Sequence, residues 1–130
     1  LQKEVVDRLA AHPGNKHWGR LSVMTQVDCD VEHLFDVPPE AFHPQPKVQS
    51  AIVRLTPKVT SHRPECSREG LGKLVQLAFA QRRKTLRNNL RGVIDDTVMQ
   101  RLGIDPACRA ETLTLDQLMD LSLELPQAAI

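Results

Sequence analysis

Apolar residues in the first part of this 130-residue chain change period several times, and each period predicts an element. Val5, Val6, Leu9 and Ala10 fall on one helical face, with Lys3, Asp7 and Arg8 outside it, so a helix is expected over Lys3 to Ala11. Pro13-Gly14-Asn15 ends it. Leu21, Val23, Met24 and Val27 fit a second short helix within Arg20 to Cys29. Val31 to Val37, closed by Pro38-Pro39, reads as a strand, and Val48 to Leu55, closed by Pro57, as another. The ten-residue loop between them suggests an antiparallel pair. Two strands alone are marginal in water, so residues 1–57 read as the edge of a larger α/β sheet.

Beyond Lys58 the pattern turns wholly helical. Lys58 to Ser67 is rich in Pro, Ser, Thr and His, and is expected to be a linker over 58–66. Leu71, Leu74, Val75, Ala78 and Phe79 form one stripe, and Leu86, Leu90 and Ile94 continue at four-residue spacing. A further helix is expected from Asp95 to Leu102, stopped by Gly103. A last one starts at Thr114, where Thr114 and Gln117 make a capping-box pattern, and ends before Pro126. The expected fold class is therefore α/β plus all-α: an antiparallel strand pair with helices in 1–57, then a small helical domain in 67–130.

Charge changes the picture by its placement. The chain carries a formal net charge of only +1, yet Ser67 to Gly92 holds seven basic residues and one acid, Glu69. Such a segment is built to meet a polyanion. Arg83, Arg87 and Arg91 repeat every fourth residue, which on a continuous helix aligns three guanidinium groups suited to phosphate. A solvated basic face is the competing reading. Cys29, Cys66 and Cys108 are odd in number, far apart and outside any CxxC pair, so reduced thiols in a cytoplasmic protein are expected. No histidine pattern points to a metal, and no apolar run reaches the length of a membrane span. The chain opens without methionine, inside an element, which hints at a piece of something longer.

Residues Val37 to Val48 are the other distinctive stretch. Pro38, Pro39, Pro44 and Pro46 surround Phe42, one of four aromatic residues in the chain. Prolines stiffen their own φ and that of the residue before, so the loop is rigid in advance. Phe42 has two readings on residue type: a core anchor, or a stacking platform for a planar base. No glycine-rich loop, nucleophile–histidine pair or carboxylate cluster accompanies it.

Five segments occur in a recognisable order: Leu1-Gln2-Lys3-Glu4-Val5-Val6-Asp7-Arg8-Leu9, Gly19-Arg20-Leu21-Ser22-Val23, Val37-Pro38-Pro39 through Phe42-His43-Pro44-Gln45-Pro46-Lys47-Val48, Gln81 to Asn88, and Gly103-Ile104-Asp105-Pro106 with Arg109-Ala110-Glu111. Together they closely resemble the carboxy-terminal half of the bacterial small-subunit ribosomal RNA adenine dimethyltransferases, the KsgA family. The resemblance implies that residues 1–57 end a Rossmann-like methyltransferase domain that binds S-adenosylmethionine. It implies dimethylation of two adjacent adenosines near the 3′ end of 16S rRNA, by direct attack of adenine N6 on the sulfonium methyl. Phe42 matches the aromatic that stacks on the flipped target base. Lys47, Arg82, Arg83, Lys84, Arg87 and Arg91 are the expected RNA contacts, with the assembling small subunit as partner. Gln49 and Trp18 depart from the usual Asp and Tyr. The motifs that hold cofactor and target amine lie outside this sequence, so the fragment alone is expected to bind no cofactor and to be inactive. No metal, no membrane and a monomer are expected. Two alternatives remain, a noncatalytic ribosome-assembly module and a macrolide-resistance type of ribosomal RNA methyltransferase.

Overall fold

The computed structural model describes residues 1–58, 63 and 65–126. The linker expected over 58–66 thus lies largely outside the described residues, as do the last four of the chain. Helices α1 (Lys3–Leu9) and α2 (Arg20–Gln26) precede strand β1 (Cys29–Val37). A single 3-10 turn, Pro39–Ala41, then leads to β2 (Ser50–Pro57). Helices α3 (Arg68–Ala78), α4 (Leu86–Asn89), α5 (Asp96–Arg101) and α6 (Leu115–Ser122) follow, with a 3-10 turn at Ala110–Thr112 before the last. The two strands and the helices expected near Lys3, Arg20, Leu71, Asp95 and Thr114 are present, with ends displaced by a few residues.

The strands pair antiparallel from Cys29↔Pro57 to Val37↔Ser50, with an irregularity between His33 and Phe35. One feature of this sheet has no signal in the sequence pattern. Residues Leu1 to Lys3 run beside the start of β2: Ala51 N donates to Leu1 O at 2.8 Å and Lys3 N to Gln49 O at 2.8 Å, around a Gln2↔Ser50 bridge. β2 therefore has neighbours on both edges at its start. Phe35 and Ile52 face one another across the ladder, yet they stay 56% and 40% exposed. In an ordinary half-buried sheet such a pair would be covered.

The hydrophobic cluster lies on the helical side. Leu71, Leu74, Val75 and Ala78 of α3 pack with Leu86, Leu90, Met99, Leu118 and Leu121, all at 1% exposure or less. Trp18 and Val23, from the first part of the chain, join the same cluster. The Trp18 indole Nε1 donates to Leu113 O at 2.8 Å, so even this ring's polar edge is satisfied inside the core.

Helix ends follow from local chemistry. Ser67, Asp95 and Thr114 accept the backbone N–H three residues on, satisfying donors that a first helical turn leaves free. Thr114 and Gln117 form the reciprocal capping box. Gly103 takes φ +76, Gly103 N bonds to Gln100 O and Ile104 N bonds to Met99 O, which closes α5 in a Schellman motif.

The basic helix expected through Arg83, Arg87 and Arg91 does not form. α3 stops at Ala78 and α4 spans only Leu86–Asn89, so Arg83 lies before it and Arg91 after it. The cause is competition for backbone groups. Asn89 Nδ2 donates to Ala78 O at 2.9 Å and Gln81 O at 3.0 Å, while Thr85 caps α4. Leu86 N and Arg87 N, which a continuous helix would bond internally, donate to Cys108 O and Pro106 O at 2.7 and 2.9 Å. Four-residue spacing alone could not show this, because the partners come from a loop about twenty residues away.

Candidate nucleic-acid interface

The loop after β1 begins with Ala41 N donating to Pro38 O and Phe42 N to Pro39 O, at 3.1 and 3.2 Å. Phe42, which follows these turns, has extended backbone. The residue is 42% exposed. Phe42 is therefore not a core anchor among the described residues. Lys47, five residues on, is exposed. The base of the loop is moored where Asp36 meets His33 Nε2 at 2.7 Å and Lys3 Nζ at 3.4 Å. The His33 hydrogen bond, and then the charge of Lys3, hold the Asp36 carboxyl below the ordinary range.

The basic residues between Arg82 and Arg91 have separate fates. Arg82 lies across the amino-terminal loop: its Nη2 donates to Trp18 O at 2.6 Å and Lys16 O at 2.8 Å and lies 3.8 Å from Glu111. Its guanidinium also sits over the Phe79 ring, 5.3 Å from the centroid. Arg87 Nε pairs with Asp96 Oδ2 at 2.7 Å, an acid at the start of α5. Arg91 Nη2 donates to Asn88 Oδ1 at 2.9 Å. Arg83 and Lys84 are exposed, and Lys84 and Arg91 line one polar hollow with Gln81, Asn88 and Asn89. The structure thus brings Lys84 and Arg91 together, ties Arg87 to Asp96, and turns Arg82 away to the amino-terminal loop.

A larger hollow, about 630 Å³, escaped sequence reasoning. It lies between α2 and the end of α3, with Leu21, Met24 and Phe79 as apolar walls and Arg8, Arg20 and Arg82 around them. No acid lines it. Arg20 and Leu21 belong to a conspicuous segment, but nothing in their spacing shows that Phe79, almost sixty positions on, faces them.

Elsewhere, all three cysteines are free and half-buried, and burial pushes the Cys108 thiol up. No group of three His, Cys, Asp or Glu side chains suited to a metal occurs among the described residues. Among them, no helix is long and apolar enough to cross a membrane.

The family model for ribosomal RNA adenine dimethylase matches residues 1–127. The chain belongs to the ribosomal RNA adenine dimethylase family. It is 58% identical to a ribosomal RNA small subunit methyltransferase A of Saccharophagus degradans, over 94% of this chain and 46% of that protein. Its identity to the protein of the same name from Methylococcus capsulatus is 55%, over 96% and 48% of the two chains. The chain thus spans about half the length of the curated relatives it matches. Its fold is similar to a dimethyladenosine transferase from Plasmodium falciparum, with TM-score 0.78 at 24% identity, covering 92% of this chain and 53% of that one. It is also similar to the 23S rRNA methyltransferase ErmE, with TM-score 0.66 at 23% identity, covering 97% and 52%. At such identities the two structures speak for the fold of this adenine dimethylase segment, and the family assignment rests on the sequence match.

Proposed function

We propose that this chain is the carboxy-terminal half of a small-subunit ribosomal RNA adenine dimethyltransferase, which uses S-adenosylmethionine to dimethylate two adjacent adenosines near the 3′ end of 16S rRNA. The observation that carries the reading is Phe42: a large ring left exposed on a proline-stiffened loop, in a chain of this family. In this reading residues 1–57 are the last part of the catalytic domain, 58–66 the linker and 67–130 the helical domain. The neighbours on both edges of β2 and the exposed Phe35–Ile52 pair support a sheet that continues beyond this chain. Trp18 and Val23, which enter the helical cluster, would join the two domains.

In this reading the cofactor is held by residues outside this chain. Neither strand runs into a glycine-rich turn: β1 leads into Val37-Pro38-Pro39 and β2 into Pro57-Lys58. The fragment by itself would transfer no methyl group. Its own contribution is to stack the target adenine on Phe42 and to hold ribosomal RNA phosphates with exposed cations, among them Lys47, Arg83, Lys84 and Arg91. A 16S target is favoured over the macrolide-resistance type because relatives above half identity carry the small-subunit name, whereas ErmE shares the fold at 23% identity.

The test is methyl transfer by the longer protein that carries this chain, on small subunits lacking the modification. Phe42→Ala is expected to lower the methylation rate by about tenfold or more, while subunit affinity changes much less. Stacking is worth about 1–3 kcal/mol per base and also sets the attack geometry. Wild-type turnover in that variant would end the stacking assignment.

A further inference from the structure

The hollow between α2 and the end of α3 has no part in the function proposed above, although its chemistry is specific. Its walls combine the apolar faces of Leu21 (42% exposed), Met24 and Phe79 with three guanidinium groups. We propose that this groove takes one unpaired nucleotide of RNA, with the base against Leu21, Met24 and Phe79 and its phosphate on Arg20 and Arg82. The proposal rests on the reading of this chain as an RNA-contacting segment and adds a second contact point, apart from the Phe42 loop.

Three observations select this occupant. Charge complementarity is the first: no carboxylate lines the hollow, and with Arg8 paired to Glu4 and Arg82 near Glu111, Arg20 leaves a net positive charge at its mouth. Arg82 supplies the second. Its contacts to Lys16 O, Trp18 O and Glu111 all run through Nη2, leaving Nε and Nη1 for another acceptor. The guanidinium is thus immobilised before any ligand arrives, which reduces the entropy lost on binding. Gly19 makes this position possible, because a Cβ there would stand 2.8 Å from Arg82 Nη1. Third, Arg20 is exposed and has no ion-pair partner among the described residues, while Arg8 is occupied by Glu4 at 3.1 Å. One fixed cation and one uncommitted cation beside an apolar wall match a phosphate joined to a base. A duplex would present phosphates there but keep its bases stacked inside.

The chain carries its own reporters. It has three methionines: Met24 lines the groove, while Met99 and Met119 are buried in the helical core at 0% and 4% exposure. Methyl-labelled methionine in the full 130-residue chain is titrated with a mixed-sequence single-stranded oligoribonucleotide, a hairpin duplex of equal charge, and inorganic phosphate. The expected result is a saturable shift of the Met24 methyl with the single strand, little with the other two, and quiet Met99 and Met119 signals. Arg20→Gln should weaken that binding about tenfold, as loss of a charged hydrogen bond does. It should also reduce the slope of log affinity against log salt by about 0.7. Leu21→Ala, another exposed substitution, should weaken binding to the single strand and leave the salt slope unchanged. RNA binding without a Met24 shift would overturn the proposal, as would an equal Met24 response to phosphate or to duplex. The methyltransferase reading fails separately, through absence of methyl transfer by the longer protein.

Discussion

Asp36 shows how single side chains prepare the loop that carries Phe42. It is the residue before Val37, where the proline segment begins, and it joins Lys3 of α1 to His33 of the same strand. Because these partners favour the carboxylate, the folded pKa lies below the unfolded one. The stabilisation is therefore fully present above the unfolded value and is lost as pH falls through the folded one. The expected outcome is an Asp36 carboxyl resonance that titrates below a free aspartate side chain, and that moves back towards it in Lys3→Met. A midpoint unchanged by that substitution would show that the Lys3 charge does not act on Asp36. None of this is legible in the sequence, since Lys3 and Asp36 meet only through the sheet. Phe42 itself is legible as a candidate because four prolines and one aromatic in so short a stretch have few structural uses. Its exposure is not.

Among the elements, those defined by local signals agree with the sequence and those defined by distant partners do not. Thr114 with Gln117, and Gly103 after α5, are readable because caps use chemistry within four residues. The segment from Phe79 to Arg91 has the spacing of a continuous helix and is not one, because its decisive bonds come from Asn89, Pro106 and Cys108. That difference can be measured. Asn89→Ala removes the donor to two carbonyls at once and is expected to cost about 1–3 kcal/mol in urea denaturation. Arg83→Ala, at an exposed site, should stay within about 0.5 kcal/mol of the parent. Equal effects of the two substitutions would mean that the turn before α4 is not held by the Asn89 amide.

At the scale of the whole molecule, the charge asymmetry read from composition survives while its geometry changes. Seven cations against one acid still lie in Ser67 to Gly92, but they do not form one stripe on one helix. Arg87 is neutralised by Asp96, Arg82 holds the loop of Lys16 and Trp18, and Lys84 and Arg91 share a hollow. Substituting arginines every fourth residue would therefore mix two effects, since removing Arg87 also frees Asp96. The informative set is Arg83→Gln, Lys84→Gln and Arg91→Gln together. These side chains are exposed and leave the main cluster untouched, so the melting temperature should hold. Affinity for small-subunit RNA should fall, and the slope of log affinity against log salt should flatten by roughly 0.7–0.9 for each phosphate no longer held. Arg82→Gln should behave in the opposite order. It removes two hydrogen bonds that join the His12–Gly19 loop to the helical half, so stability should drop first and RNA affinity with it. A salt titration of each protein beside its thermal melt separates the cases. An unchanged slope in the triple variant would remove Arg83, Lys84 and Arg91 from the RNA surface. An unchanged melt in Arg82→Gln would mean that the bonds to Lys16 and Trp18 do not hold the two halves of the chain together.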